Sequence, residues 1–285
     1  MSRLRSLLIM AAVFAAAGLA AADAASRPFR LVAHRGASNE APENTLKAFE
    51  VAWQDGAAWA VETDLCLTRD KKVVCFHGPM KKITGQEGET WKMTLDEVRA
   101  LDVGKWKGEA FAGMRVPTLL EALKSLPSHG HFVLELKIGA SDAFCQEFND
   151  AMRESGVKPS QITFISFNRK TLRDLNRKLP GYDRMWLYGV RINKDGTPSM
   201  THDELLEVMK EDQLTGLNLT MSYKLWETFA SKEFIQRIHD AGGQAFFFLI
   251  NRPELAQMLY DRGADGITSD HCVLLKNSIK QTVRK

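Results

Sequence analysis

The sequence predicts an α/β protein whose eight parallel strands close into a (β/α)8 TIM barrel. Short apolar segments alternate with amphipathic segments eight times along the chain, as buried strands alternate with helices in this architecture. About 260 residues follow an N-terminal leader, which is the usual length of such a barrel. The alternative is an open doubly wound sheet, but no GxGxxG motif follows any predicted strand.

The predicted strands are short and rich in β-branched or aromatic residues. Strands of this composition are buried on both faces, as they are in a parallel sheet. In chain order they are Phe29–His34, Trp59–Leu67, His131–Ile138, Gln161–Phe167, Arg184–Val190, Gly216–Met221, Gln244–Ile250 and Gly266–Ser269.

A helix is predicted after each strand. Three of the helix starts have the spacing of a capping box, in which a polar cap precedes Glu by three residues. These pairs are Thr118 with Glu121, Thr201 with Glu204, and Asn251 with Glu254. The predicted helices are Thr45–Gln54, Leu119–Leu126, Ala143–Ser155, Lys170–Leu179, Asp203–Asp212, Trp226–Ala241, Glu254–Arg262 and Val273–Thr282.

Residues 68–117 interrupt the alternation between the second strand and its helix. They contain the segment VVCFH, a turn rich in Gly and Thr, and a short helical pattern in which Thr94 and Glu97 have capping-box spacing. We therefore predict a small insertion that lies over the mouth of the barrel.

Residues 1–25 are predicted to be a signal peptide. Arg3 and Arg5 precede an apolar run, and small residues at Ala20, Ala22 and Ala24 fit a cleavage site. The alternative is an uncleaved membrane anchor, although the run is short for a span. The domain of residues 26–285 is thus expected to be exported, either periplasmic or secreted, and not to insert stably into a membrane.

Charge and cysteine content exclude some classes of protein. The formal net charge of +3 is mild, and no dense stripe of Lys and Arg indicates a nucleic-acid partner. Cys66 and Cys75 flank a turn, so they are expected either to form a cross-strand disulfide or to remain free buried thiols. The free thiols are the favoured alternative. Cys145 and Cys272 are expected to be packing residues, and the sequence leaves the oligomeric state open.

Acidic residues occupy the second and third predicted strands. Glu62 and Asp64 are two residues apart, so their side chains share a face, and Glu135 lies on the next strand. Chemistry in such barrels collects at the C-terminal ends of the strands. Because three carboxylates form an oxygen-rich anionic site, we predict that they bind a divalent cation, Ca²⁺ or Mg²⁺.

Basic residues and histidines accompany these carboxylates. Arg35 and Lys137 are predicted to bind phosphate oxygens. His34 and His77 are predicted to be the catalytic acid and base, with their order left open. His129 and His131 lie at the start of the third strand and are expected to be structural.

Several motifs resemble the glycerophosphodiester phosphodiesterase family, whose barrel is like that of phosphatidylinositol phosphodiesterases. They are HRG at 34–36, PENT at 42–45, Glu62-x-Asp64, PTL at 117–119 and Glu135-x-Lys137, and the resemblance runs from about residue 31 to 270. It implies metal-dependent hydrolysis of small glycerophosphodiesters to glycerol 3-phosphate and an alcohol. It also implies an insertion after the second strand and an acid–base pair at His34 and His77.

The chain departs from the family pattern at two positions. Gly78 follows His77 where family members usually have Asp, and Phe248 stands where a tryptophan is usual. Phe248 is interpreted as a substrate-binding residue that packs on glycerol, with barrel core as the alternative. Asp270 also resembles a family position and is expected to be structural.

Two other functions compete with this interpretation. One is phospholipase D-like action on the head groups of lysophospholipids, and the other is a non-catalytic barrel that serves as a binding module. Gly78 and the missing tryptophan favour the binding module, whereas the retained histidines and carboxylates argue against it. The sequence leaves open whether water attacks directly or a glycerol hydroxyl first forms a cyclic phosphate.

Overall fold

The computed structural model describes residues 27–56 and 58–280 of the chain. The predicted signal peptide lies outside this range. Among the helices that the structure does describe, none combines the length and the apolar character that a membrane span requires.

Eight parallel strands form a closed barrel, as predicted. Their order around the barrel follows the chain, and the first strand pairs with both the second and the last. The additional strand β3 pairs antiparallel with β2. The strands are β1 Arg30–Ala33, β2 Ala60–Leu67, β3 Val73–Cys75, β4 His131–Leu136, β5 Ile162–Ser166, β6 Asp183–Val190, β7 Gly216–Met221, β8 Gln244–Phe247 and β9 Gly266–Ser269.

Helices connect the barrel strands and cover the outside of the sheet. The α-helices of the described residues are α1 Leu46–Gln54, α2 Met80–Thr84, α3 Leu95–Arg99, α4 Leu119–Lys124, α5 Asp142–Ser155, α6 Arg169–Lys178, α7 His202–Glu211, α8 Lys232–Asp240, α9 Pro253–Asp261 and α10 Cys272–Ser278. Short 3₁₀ turns occur at Thr90–Lys92, Lys105–Lys107, Glu109–Phe111, Pro159–Gln161 and Tyr223–Leu225.

The capping boxes predicted at Thr94, Thr118 and Thr201 are confirmed, but the one predicted at Asn251 is wrong. Arg252 is the N-cap of α9, and Pro253 occupies the first helical position, where its fixed φ is favourable. Asn251 therefore lies one residue too early to cap the helix.

The helix predicted from Trp226 begins only at Lys232. Ser231 is its N-cap, with a side chain that accepts a hydrogen bond from the Phe234 N–H. A 3₁₀ turn at Tyr223–Leu225 and a connecting segment occupy the preceding residues.

Side chains alternate between the barrel interior and the helix layer. Phe246 packs in the interior cluster with Val32, Ala60 and Val133, whereas its neighbour Phe247 packs in the larger outer cluster. Since side chains two residues apart share a face of a strand, Glu62 and Asp64 face the interior like Ala60. Glu135 faces it like Val133.

The insertion has a small hydrophobic core of its own. We call this the insertion core, and it consists of Val74, Phe76, Met80, Ile83, Val98, Leu101, Val103 and Val116. Strand β3 joins the two cores because Val74 faces the insertion core while Val73 and Cys75 face the outer cluster of the barrel.

The cysteines are free in the structure, so a disulfide between Cys66 and Cys75 is not formed. The register pairs Cys66 with Val74 and Leu65 with Cys75. A tight turn about Asp70 would have paired the two cysteines, but the hairpin loop is longer and the Thr68 N–H donates to the Lys72 carbonyl oxygen at 2.9 Å. This shift of one residue places the two thiols on opposite faces.

Candidate active site

The structure brings the three predicted acidic residues together. Glu62, Asp64 and Glu135 are buried, and each offers a carboxylate oxygen within 4.8 Å of the others. Asp64 and Glu135 are register partners on β2 and β4. β2 continues past Asp64 to Leu67 because it pairs with β3, so the acidic pair lies within the strand rather than at its end.

This cluster fits a hard cation. Glu62 Oε1 is buried without a hydrogen-bond partner, which is costly for a carboxylate oxygen. Burial and the charge of Asp64 raise the pKa of Glu62 and of Glu135. The pKa of Asp64 is lowered, since Lys137 and Arg35 outweigh its burial. The donor set consists only of oxygens, as Ca²⁺ and Mg²⁺ require.

Backbone geometry positions the HRG tripeptide. Arg35 has φ of 55° and Gly36 has φ of 81°, a region that glycine adopts without strain. A Cβ on Gly36 would also lie 2.6 Å from the carbonyl carbon of Ala48 in α1. The turn directs the backbone N–H of Arg35 to Glu62 Oε2 at 2.9 Å, so it orients one carboxylate of the cluster.

The two predicted phosphate-binding cations lie beside the carboxylates. Arg35 Nη1 is 2.7 Å from Glu43 Oε1, and its Nε is 3.1 Å from Asp64 Oδ2. Lys137 Nζ is 2.6 Å from Glu135 Oε1 and 3.1 Å from Asp64 Oδ1. Sequence reasoning did not assign a role to Glu43, although it stands within the PENT motif.

Asn44, the next residue of the PENT motif, holds Asp64. Its φ is 56°, which Asn tolerates better than most residues. Asn44 Nδ2 donates to Asp64 Oδ2 at 2.9 Å, while Asn44 Oδ1 accepts from the Asp64 N–H at 3.1 Å and from Thr63 Oγ1 at 2.6 Å. The amide therefore fixes both the backbone and the side chain of a candidate cation ligand.

His34 follows β1 and lies between two acids. Its Nδ1 is 2.6 Å from Asp270 Oδ1, and its Nε2 is 3.9 Å from Glu62 Oε2. Burial lowers the pKa of His34, but the hydrogen bond to Asp270 and the charge of Glu62 outweigh it, so the pKa lies above its ordinary value.

Asp270 was expected to be structural, yet its carboxylate contacts His34 directly. It also accepts hydrogen bonds from Asn251 Nδ2 at 2.8 Å and Ser38 Oγ at 3.2 Å. Asn251, the residue wrongly predicted as a helix cap, therefore helps to hold a partner of a candidate catalytic group.

His77 follows β3 and approaches the cluster from the insertion. Its Nδ1 is 3.9 Å from Glu43 Oε1. Burial lowers the pKa of His77, and the nearby charge of Asp64 opposes this only in part. A Cβ added to Gly78 would have no atom within 4 Å. Gly78 also lines a cavity of about 750 Å³ within the insertion.

Phe248 lies at the mouth, above the interior cluster. Its ring packs edge-on against Phe167 with 5.8 Å between centroids, and it remains partly exposed. His131 lies at the opposite end of the barrel, where it stacks on Trp59 and its Nε2 is 2.8 Å from Thr163 Oγ1. Burial lowers the pKa of His131 to about 3, which agrees with the structural role expected for it.

Charge at the mouth is strongly unbalanced. In the ion-pair network of the described residues, two permanent cations, Arg35 and Lys137, lie among five carboxylates, which belong to Glu43, Glu62, Asp64, Glu135 and Asp270. Such an arrangement can hold a divalent cation and can move protons through the two histidines next to it.

The chain is similar to proteins of one known family. The model of the glycerophosphoryl diester phosphodiesterase family matches residues 34–274. A glycerophosphodiester phosphodiesterase of Caldanaerobacter subterraneus is 27% identical over 257 residues, which cover 88% of this chain and 98% of the relative. One from Bacillus subtilis is 27% identical over 255 residues, which cover 84% and 83% of the two chains.

Solved structures include a phosphodiesterase of Oleispira antarctica in complex with the product sn-glycerol 3-phosphate. It is 28% identical to this chain, covers 87% of it and 96% of its own length, and superposes with a TM-score of 0.75. The comparison thus extends over the barrel as well as the sequence motifs.

Proposed function

Because the chain belongs to the glycerophosphoryl diester phosphodiesterase family, we propose that this phosphodiesterase cleaves glycerophosphodiesters into glycerol 3-phosphate and an alcohol with the aid of a divalent cation. The observation that carries the proposal is the buried cluster of Glu62, Asp64 and Glu135 beside His34 and His77. Paired acid–base groups next to an anionic cation site are what phosphodiester hydrolysis requires.

Glu62, Asp64 and Glu135 would hold the cation. When bound, such an ion neutralises negative charge on the phosphate and its developing oxyanion. The unpartnered Oε1 of Glu62 and the crowding of three acids support this assignment. Oxygen ligands suit both Ca²⁺ and Mg²⁺.

Arg35 and Lys137 would bind the remaining phosphate oxygens. Their present carboxylate partners hold both cations at the mouth, so little side-chain entropy remains to be lost when a phosphate arrives. Arg35 can contact two oxygens through its planar guanidinium, whereas Lys137 acts as a point charge.

His34 would transfer its proton at Nε2. Asp270 accepts at Nδ1, and since a carboxylate is an acceptor only, the imidazole holds a proton on Nδ1 and exchanges one on the other nitrogen. His77 would take the complementary role. One histidine activates the attacking water or glycerol hydroxyl, and the other protonates the departing alkoxide.

The two halves of the substrate would have different environments. Phe248 at the mouth would pack on the glycerol carbons. The product sn-glycerol 3-phosphate in the structure of the Oleispira antarctica relative supports glycerol 3-phosphate as one product of the reaction. The cavity lined by Gly78 would receive the alcohol, because Gly78 directly follows His77 in the chain.

A turnover assay tests the proposal. Purified protein would be incubated with glycerophosphocholine, glycerophosphoethanolamine and glycerophosphoglycerol, and glycerol 3-phosphate would be measured with and without chelator. We expect turnover that chelation abolishes and that added Ca²⁺ or Mg²⁺ restores. The Glu135→Gln variant should turn over the same substrates more slowly. Unchanged rates after chelation would refute the requirement for a divalent cation. Absence of turnover with every diester would favour the binding-module alternative.

We also propose that the enzyme works outside the cytoplasm, either in the periplasm or after secretion. The order of charged, apolar and small residues in positions 1–25 supports export by the general secretory route. Deacylated phospholipids released at the cell envelope would then be available as substrates.

A further inference from the structure

The exposed large apolar side chains of the described residues lie at one end of the barrel. They are Leu46, Trp91, Trp106, Phe167, Ile192, Tyr223, Leu249 and Leu274, and their exposed fractions range from 37% for Ile192 to 73% for Tyr223. We call this set the apolar rim.

The topology places the apolar rim around the catalytic mouth. Phe167 directly follows β5, while Ile192, Tyr223 and Leu249 each come two residues after β6, β7 and β8. Since the barrel strands are parallel, these four positions share the end that carries His34.

The other members reach the same end by different routes. Leu46 opens α1 and Leu274 lies in the first turn of α10, the helices that follow β1 and β9. Trp91 and Trp106 belong to the insertion, which follows β2. Within residues 27–56 and 58–280, no other large apolar side chain is comparably exposed. Scattered apolar residues need no explanation, but concentration on one face marks an interaction surface.

Cations accompany the rings of the apolar rim. Lys92 Nζ lies 4.6 Å from the centroid of Trp91, and Lys107 Nζ lies 5.6 Å from that of Trp106. The guanidinium of Arg252 lies 5.2 Å from the ring of Tyr223. Aromatic rings beside Lys and Arg are typical of surfaces that meet lipid, because the ring enters the interface while the cation contacts phosphate.

The insertion as a whole also carries a net positive charge. Residues 68–117 contain ten Lys and Arg against seven Asp and Glu. This surplus is small, so it complements a surface that mixes zwitterionic and anionic phospholipids.

We propose that the apolar rim binds the surface of a phospholipid bilayer and thereby turns the catalytic mouth toward the head groups. The rings of Trp91, Trp106 and Tyr223 insert among the head groups, while neighbouring Lys and Arg contact phosphates. This adsorption needs no cation in the catalytic site and no turnover, so it can fail or succeed independently of the proposed function.

Vesicle sedimentation tests the proposal. A chain that begins at residue 26 contains the whole closed barrel and lacks the apolar leader, which would itself bind lipid. It would be mixed with vesicles of phosphatidylethanolamine and phosphatidylglycerol at 3:1, with chelator present, and the bound fraction measured against lipid concentration. We expect binding, and a loss of about tenfold or more for Trp91→Ser combined with Tyr223→Ser.

Charge variants provide a matched control. Lys194 and Lys224 flank rim residues, whereas Lys158 and Lys210 are exposed toward the opposite end. Lys194→Glu with Lys224→Glu should weaken binding severalfold, and Lys158→Glu with Lys210→Glu should leave it unchanged. Thermal unfolding of each variant establishes that it is folded.

Three results would overturn the proposal. They are no sedimentation with vesicles, equal loss in both charge variants, and sedimentation that the aromatic variant does not reduce. A concentration-dependent dimer in the absence of lipid, dissociated by the aromatic substitutions, would assign the rim to a second copy of the chain instead. If the protein cleaves soluble diesters but does not bind vesicles, the proposed function stands and the proposal of a lipid-binding surface is wrong.

Discussion

His34 Nδ1 and Asp270 Oδ1 are 2.6 Å apart at the mouth of the barrel. The two residues directly follow β1 and β9, which are adjacent strands of the closed sheet. A second aspartate, Asp265, directly precedes β9, and its Oδ2 is 2.8 Å from His239 Nε2. One strand is therefore flanked by an Asp–His pair at the catalytic end and by another at the opposite end.

Replacing Asp270 by Asn should lower kcat by roughly 10- to 100-fold, because a neutral amide replaces the carboxylate beside His34 and can present its NH2 group, so it no longer fixes one tautomer of the imidazole. The pKa of His34 should also fall, since a contribution that raises it is removed while burial still lowers it. In the pH profile of kcat/KM, the inflection that reports the titration of His34 should then move to lower pH. Asp265→Asn is the matched control and should leave kcat unchanged. A normal rate and profile in Asp270→Asn would remove Asp270 from the catalytic site.

Replacing either His34 or His77 by Ala should lower kcat by roughly 10²–10⁴, the usual contribution of general acid–base catalysis. Cation affinity should be nearly unaffected. A nitrophenyl phosphodiester needs little protonation of its leaving group, so it should restore the rate of the variant that lacks the acid and leave the other inactive. The control is His131→Ala, which should change stability more than rate. Wild-type rates in both site variants would contradict the mechanism.

A divalent cation should raise the melting temperature of the protein, because the cluster of Glu62, Asp64 and Glu135 forms only in the folded chain and repels itself without a cation. Differential scanning fluorimetry with Ca²⁺ and with Mg²⁺ measures the shift and ranks the ions. Glu135→Gln should lose most of it. Asp142→Asn, at a position exposed on α5, should retain it. An equal shift in Glu135→Gln would place the bound ion elsewhere.

Asp265 should make stability depend on pH. Burial raises the pKa of Asp265, but the hydrogen bonds from His239 and from the Ala245 N–H lower it by more. The pKa of Asp265 in the folded protein therefore lies below its ordinary value. The stabilisation is present above the unfolded pKa of about 4 and is lost as pH falls through the folded pKa.

Asp265→Asn should accordingly reduce the free energy of unfolding at pH 7 by about 1.5–3 kcal/mol. Urea denaturation at pH 7 and at pH 3 should show that the difference in free energy of unfolding between wild type and variant is smaller at pH 3. A gap of the same size at both values would mean that charge on Asp265 does not contribute.

The exported protein should begin near residues 22–25, after removal of the leader. Mass spectrometry of the N-terminal peptide from the host's extracytoplasmic fraction reads this position directly. Recovery of intact Met1 in the membrane fraction would instead establish the uncleaved anchor.

The barrel could be predicted because eight apolar strands and their helices repeat clearly along the chain, and buried parallel strands tolerate little else. Local hydrogen bonding was harder to predict. Asn251 has the spacing of a helix cap, yet its side chain forms hydrogen bonds with Ser269 and Asp270 at the end of the neighbouring strand β9. Spacing along the chain does not reveal such a partner 19 residues away.

The carboxylates and histidines could be recognised as a set because charged residues inside apolar strands are costly unless they serve one another. The supporting residues were less visible. Glu43 lies in a loop, where an acid is ordinary, and its contacts with Arg35 and His77 become visible only in the folded structure. The register of Cys66 also depended on loop length, which a turn motif alone does not determine.

The insertion core has a consequence for the evolution of this enzyme. Because these side chains pack mainly on one another and meet the barrel through β3, the segment is a structural module whose sequence can drift without disturbing the strands that hold the carboxylates. The cavity beside Gly78 belongs to that module. Substitutions in the insertion core can therefore reshape that cavity, while the strand register that brings Asp64 and Glu135 together is kept by the barrel itself.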